Sequence, residues 1–410
     1  MLSDEVIDKV TERLVNRVEK TNEYVLKEIG RSIKQLGTVN PSKAQQLIQI
    51  MKYGGDFDKI VKRIAELTEL NTKDIYKIFE EVAKNDYSFA KAFYDYKNIP
   101  YVPYNKNYEL QRTVNRLARI TAEEYINLTR TSSLGFGIVD ENGNVIFKQL
   151  KDAYYSLLDE AVLSVSQGKE TFDSAMYRQL KNIGENGLKV VYPTGYTRRL
   201  DSAVRMNMKS ALRNLHNETQ TQIGYWFGAD GVELSVHAYP APDHQFAQGK
   251  QFNKQEFEKL QTLGTATTYD NKVIDLHLNS DSFRPISEWN CYHYTLSIVL
   301  GVNEPQYSDE KLQKIIDDNN KGFDYEGKHY TLYEGTQLQR RIETEVRRQK
   351  EAQILGKASD NKDLIRTSQS NITVLTQKYK ELSDVSGLPT KMDRMRVEGY
   401  NKVKKEELLS

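Results

Sequence analysis

Apolar residues return at helical spacing along the first thirty positions, and this pattern constrains the fold more than any other feature. Val6, Val10, Leu14 and Val18 recur every four residues, and Tyr24, Val25 and Ile29 continue a related stripe. Side chains so spaced share one helix face, which must lie against another surface, because an isolated amphipathic helix is marginal in water. Residues 42–53 and 56–70 repeat the pattern. A further helix is expected from Thr72, with Asn71 or Thr72 as cap and Asp74 in its first turn. The segment YKNIPYVPYNKNY, residues 96–108, carries prolines and tyrosines and reads as an extended connector. A long helix over residues 109–129 follows it.

The texture then changes. In GFGIVDENGNVIF, residues 135–147, two apolar runs flank Glu-Asn-Gly-Asn, and Asn142-Gly143 suits a hairpin turn with positive φ at both central positions. Helical spacing resumes over residues 150–188, interrupted near Gly168, and again over residues 200–223. In the latter, Val204, Met208, Leu212 and Leu215 form the apolar face. Alternation in ELSVHAY, residues 233–239, predicts a half-buried strand, with Leu234, Val236 and Ala238 on one side and Glu233, Ser235, His237 and Tyr239 on the other. Residues 272–278 and 294–300 are further candidate strands. Residues 309–318, 332–355 and 360–383 return to helix, stopped by Gly387-Leu388-Pro389.

The expected class is therefore α+β, with mostly helical N-terminal and C-terminal regions flanking a small mixed α/β domain. Four regions are expected: helical 1–134, a hairpin plus helical segment over 135–194, an α/β domain with a His/Cys cluster over 195–305, and helical 306–410.

A composition of 38% hydrophobic and 28% charged residues describes a well-solvated chain that still has a core to bury. The formal net charge of +1 gives no global pull toward nucleic acid or membrane. The 26 tyrosines suit half-buried surfaces and interfaces. A single cysteine leaves no internal disulfide to form. The charged start MLSDEVIDKVTERLVNRVEK lacks a signal-peptide core, and no apolar run approaches the roughly 20 residues that span a bilayer. Residence in the cytoplasm, or in something assembled there, is expected, with no membrane involved.

The one cysteine, Cys291, lies in EWNCYHYTLSIVLG, two positions before His293. His237, His244 and His277 cluster nearby in sequence, and His216 and His329 flank the group. Thiolate and imidazole are ligands that zinc prefers, so His237, His244, Cys291 and His293 form a candidate metal set, without the paired CxxC spacing of zinc knuckles. Histidines and Asn290 acting as buried hydrogen-bonding residues that fix a small sheet are the competing reading. Cys291 and His293 are also the candidate catalytic pair. On a strand they would occupy adjacent same-face positions, poorly placed for in-line activation, and no glycine-rich oxyanion turn precedes the cysteine. Phosphate loops of the GxxxxGK[ST] or strand-linked GxGxxG kind are absent from the sequence. Arg198, Arg199, Arg205, Lys209 and Arg213 make one helix side basic, either a nucleic-acid contact or a solvated face paired with local acids. Nothing requires a cofactor, and zinc is the metal these residue types would take.

Several ordered anchors resemble the phage minor capsid protein 2 family, head-associated proteins of tailed double-stranded DNA phages. They are Arg198-Arg199-Leu200-Asp201 at a helix start, Glu233-x-Ser235-x-His237, Pro242-x-His244, Gln248-Gly249-Lys250, Asn290-Cys291-x-His293, and Tyr333, Gln337, Gln339 and Arg340 on a later helix. They cover about half the chain, from Tyr196 to Gly387. Phe246-Ala247 replaces the family's tryptophan before Gln-Gly-Lys, and Arg284-Pro285-Ile286-Ser287-Glu288-Trp289 replaces a glycine-rich approach to the cysteine.

The resemblance implies a minor capsid protein with a structural role in head assembly or at the portal vertex, in the virion and, during assembly, the host cytoplasm. Portal protein, major capsid protein and packaged phage DNA are the implied partners, with multiple copies in an assembly. The long amphipathic helices and the tyrosine-rich connector suit docking against such partners. The alternative is a packaged metal-dependent hydrolase or nuclease centred on the His/Cys cluster, in which zinc would activate water.

Overall fold

The structure, a computed structural model, describes residues 4–37, 41–53, 56–88, 90–96, 99–139, 144–167, 170–278, 282–289 and 291–403. The chain begins with α1 (Asp4–Gly37), α2 (Pro41–Tyr53), α3 (Asp56–Ser88), α4 (Ala90–Tyr96) and α5 (Tyr108–Thr129). The buried face of α1 is Ile7, Val10, Leu14, Val15, Val18, Val25, Leu26, Ile29 and Ile33, while Val6 is 41% exposed. Val10, Leu14 and Val18 of the expected stripe are buried as expected; at 3.6 residues per turn a strict four-residue repeat drifts around the helix, so Ile7 and Val15 join them and Val6 is left outside.

The break expected near residue 71 does not occur, and α3 runs through it for 33 residues. Asn71 is buried and donates to the Tyr125 hydroxyl at 2.7 Å, while Thr72 bonds back to the Thr68 carbonyl. Both capping side chains are thus committed elsewhere, and packing of α3 on α5 carries the helix onward. Where a cap does form, Asn107 accepts from the Leu110 amide at 3.0 Å and starts α5. In the connector, Tyr101 stacks on Tyr87 with ring centroids 5.2 Å apart and meets Tyr94 edge-on. Tyr101 and Tyr104 therefore pack onto the chain's own core, while Tyr108 stays exposed.

The hairpin forms as expected from β1 (Leu134–Val139) and β2 (Val145–Gln149), antiparallel with Gly135 opposite Gln149. The turn pair Asn142-Gly143 lies outside the described residues. Glycine is required at Gly135, where a Cβ would sit 2.0 Å from the Lys148 carbonyl oxygen. After α6 (Leu150–Ser166) and α7 (Phe172–Asn186), two strands that the sequence pattern did not announce, β3 (Leu188–Val191) and β4 (Thr197–Arg199), complete a sheet of order β2-β1-β3-β4. Gly168 lies outside the described residues.

Then α8 (Leu200–Trp226) leads into β5 (Gly231–Leu234), β6 (Gln251–Asn253), α9 (Lys254–Leu263), β7 (Thr265–Thr267), β8 (Val273–Asp275) and β9 (Thr295–Ile298). Strands β6, β5 and β9 make a three-stranded antiparallel sheet with β5 in the middle. The strand expected over residues 233–239 ends at Leu234, and its supposed solvent side is interior. Glu233 is buried and accepts from Gln251 Nε2 at 2.8 Å, and the Ser235 hydroxyl accepts from the Tyr294 amide. His237 and Tyr239, beyond the end of the strand, are half-buried. The chain closes with α10 (Asp309–Lys321), the small hairpin β10 (Phe323–Tyr325) and β11 (Lys328–Tyr330), α11 (Leu332–Ser359) and α12 (Lys362–Ser386).

All strand pairs among the described residues are antiparallel, and the class is α+β, with small sheets set among long helices. One apolar cluster runs from Ile7 through Phe79, Phe136 and Leu212 to Leu355 and Val397, joining both helical ends with the first sheet. A smaller cluster around Phe252 and Leu260 lies under the second sheet. Helix α1 packs on α3, α8 and α11, so the amphipathic stripes expected to dock on neighbouring subunits are covered by the chain's own core.

Candidate functional site

Residues from motifs far apart in sequence meet at a cleft of about 900 Å³. Its walls are Asp8, Lys9 and Glu12 of α1, His237 to Ala241, the loop with Arg284, Cys291 and His293, residues Tyr333, Gln337 and Arg340 of α11, and Lys391 and Arg394 near the end of the described chain. The cleft lies where helices and loops from distant parts of the sequence converge.

Cys291 and His293 lie not on a strand but in the loop just before β9. Two non-glycine residues there, Ser287 and Trp289, have φ of 70° and 46°, so the backbone curls tightly ahead of the cysteine. The Cys291 amide donates to the Glu288 carbonyl at 2.8 Å, and the Ser287 hydroxyl donates to the His293 carbonyl at 2.8 Å. Opposite this loop, residues 241–248 turn back with the His244 amide on the Ala241 carbonyl. Arg284 clamps the two together by a bidentate pair with Asp243, at 2.8 and 3.0 Å.

The clamp brings three of the four expected metal ligands into contact. Cys291 Sγ is 3.3 Å from His244 Nδ1 and 3.4 Å from His293 Nδ1, and all three side chains are buried. Their ligand atoms lie within 4.8 Å of one another. His237 falls outside that set, half-buried, with its ring centroid 4.4 Å from that of His293. Gln248, 1% exposed, accepts from the His237 amide at 3.0 Å and has Oε1 3.5 Å from His293 Nε2. Asn290 lies outside the described residues.

Burial holds the His293 imidazole well below its usual range, helped by His237 and His244. Burial likewise takes His244 down to about 4, against the pull of Asp243. Burial pushes the Cys291 thiol up, opposed by Arg284 and by backbone N–H groups. Burial keeps this thiol in its protonated form, the weaker nucleophile.

Tyr292, between those two residues, reaches a different neighbourhood. Its hydroxyl accepts from Lys209 at 3.0 Å and Arg340 at 3.3 Å, and lies 3.5 Å from Arg394. Burial alone would raise the phenol, but Lys209, Arg340 and Arg394 together bring it down to about 7. Asp8 closes the group by pairing with Lys209 and, at 2.8 Å, with Arg394.

The basic helix side, expected either to meet nucleic acid or to be a solvated face paired with local acids, is mostly interior. Arg199, Lys209 and Arg213 are buried. Arg199 pairs with Glu351 and Asp201, Arg205 grips Glu12 at 2.7 and 3.1 Å, and Arg347 also reaches Asp201 at 2.9 Å. Of the five, only Arg198 is partly exposed without such an ion pair; it bonds Met206. Buried cations require buried acids, and α1 and α11 supply them from distant sequence.

The remaining histidines serve elsewhere. His216 Nδ1 pairs with Asp86 at 2.7 Å inside the protein, His277 bonds Asp275, and His329 bonds Asp324. Sequence reasoning missed Asp8, Glu12, Lys391 and Arg394 as parts of this site, since no local signal links positions so far apart.

No curated protein and no solved structure matches the chain. The family model described as phage minor capsid protein 2 matches residues 2–384. With nearly its whole length matched, the chain belongs to the phage minor capsid protein 2 family.

Proposed function

We propose that this protein is a structural minor component of the phage head, seated at the portal vertex or against the major capsid protein and incorporated in several copies as the head assembles in the host cytoplasm. The observation that carries this reading is the family match over residues 2–384. Because the amphipathic helices are internally covered, the docking contacts must come from the surface instead. Tyr225 and Trp226 end α8 with 78% and 55% exposure, in edge-to-face contact with ring centroids 5.8 Å apart. Exposed Tyr and Trp are the side chains that most often anchor interfaces. Direct contact with packaged DNA through the basic helix side forms no part of the proposal, since Arg199 and Arg205 pair with internal acids and Arg213 is buried over the Tyr292 ring.

Mass spectrometry of purified particles tests it. The protein should be found in mature virions, and the double substitution Tyr225→Ala and Trp226→Ala should reduce its incorporation while leaving the isolated fold intact. Particles of full infectivity that lack the protein would overturn the proposal.

A further inference from the structure

We infer that His244, Cys291 and His293 form a zinc site whose fourth position opens toward the cleft. The inference goes beyond the assembly role and is tested separately from it.

The hydrogen-bond partners assign the protons. A neutral imidazole carries one N–H. His244 Nε2 lies 2.8 Å from the Arg284 carbonyl oxygen, which only accepts, so the proton sits there and Nδ1 is a bare lone pair. His293 Nε2 faces Gln248 Oε1, and that oxygen is fixed in place by the His237 amide at 3.0 Å. His293 therefore also carries its proton on Nε2. Both Nδ1 lone pairs then converge on Cys291 Sγ, at 3.3 and 3.4 Å. One thiol hydrogen satisfies one of them and leaves the other facing sulfur in a buried site, an arrangement that costs free energy. A cation bound by the thiolate and both nitrogens satisfies all three.

The two sulfur–nitrogen distances match that cation, and the three ligand atoms, within 4.8 Å of one another, would draw together on binding it. With Zn–S near 2.3 Å and Zn–N near 2.0–2.1 Å, a tetrahedral ion places sulfur and nitrogen about 3.5 Å apart. The surroundings fit as well: metal-bound histidines usually donate their other N–H to an oxygen, as both do here. The His293 amide adds a hydrogen bond to Sγ at 3.4 Å. One sulfur and two imidazoles, with no carboxylate, suit zinc and exclude calcium or magnesium, which need oxygen ligands.

His244 is fully buried, whereas Cys291 and His293 line the cleft, so the fourth ligand enters from the cleft side. The ion would pin the cysteine loop to the 241–248 turn and present an exchangeable position to whatever occupies the cleft.

Metal analysis of the full chain purified from zinc-supplemented cells, followed by cobalt titration of the chelator-treated protein, provides the test. A single equivalent of zinc is expected, and cobalt should give tetrahedral ligand-field bands with a thiolate-to-cobalt charge-transfer band. Because Cys291 is the only thiol, Cys291→Ser should abolish that band and weaken zinc binding by at least about tenfold. His237→Ala should keep both. Wild-type protein that takes up neither metal, or a cobalt spectrum unchanged in Cys291→Ser, would overturn the site. Loss of metal in His237→Ala would overturn the open fourth position.

Discussion

The guanidinium of Arg284 holds both carboxylate oxygens of Asp243, at 2.8 and 3.0 Å, across 41 positions of sequence. The same residue offers its carbonyl to His244. A position that departs from the family's glycine-rich pattern therefore joins the two loops that carry the His/Cys cluster. Arg284→Ala should destabilise the protein by about 1–3 kcal/mol, because Asp243 is left partly buried without its partner. Denaturant titration measures this, and an unchanged midpoint would show that the clamp is dispensable.

A deeper pair should cost more. Arg199 and Glu351 are both buried, and Arg199 also reaches Asp201. Removing one partner of a buried pair strands the other, so Arg199→Ala should cost roughly 3–5 kcal/mol. The double variant Arg199→Met with Glu351→Leu should lose less than the sum of its single variants. A double-mutant cycle by chemical denaturation reads the difference.

Glu19 gives the fold a pH dependence. Burial, with Asp201 next in weight, raises its carboxyl from 4.5 to about 8, although the Glu398 amide donates to it at 2.9 Å. The folded state thus keeps this proton where the unfolded chain has released it. The contribution to stability is fully present below about pH 4.5 and is lost as pH rises toward 8. Glu19→Gln should remove a slope of up to about 1.4 kcal/mol per pH unit across that window. Melting curves at several pH values should show the variant's stability flatter, with its advantage greatest at the alkaline end.

Gly135 tests the hairpin register. An alanine Cβ would meet the Lys148 carbonyl oxygen at 2.0 Å, and backbone does not yield as a side chain does. Gly135→Ala should cost about 1–3 kcal/mol by overpacking, read as a lowered melting temperature.

The sequence announced what is local. The β1–β2 hairpin, the helix over residues 109–129 and the stop at Gly387, which has φ of 69°, were legible from spacing and turn residues within a few positions, although the Asn107 cap was not read. The Cys/His grouping was legible as residue types, and three of its four members meet. Tertiary demands were not legible. Asn71 looks like a cap and serves Tyr125 instead. Arg205 looks like a DNA-facing cation, but its acid, Glu12, lies 193 positions away. Alternation in ELSVHAY separated two faces, and nothing local shows that Gln251 and the Gln306 amide will meet Glu233. Spacing also said that the long helices needed covering, and only the assembled core shows that the chain covers them itself.

The central claim is that this chain works as a fixed part of the head. A reconstruction of the portal vertex in mature particles tests it most directly. The account predicts density for the α1–α8–α11 helical core beside portal or capsid subunits, with Tyr225 and Trp226 buried against a neighbour. A well-resolved vertex without that density, in particles from which the protein is absent by mass, would contradict it.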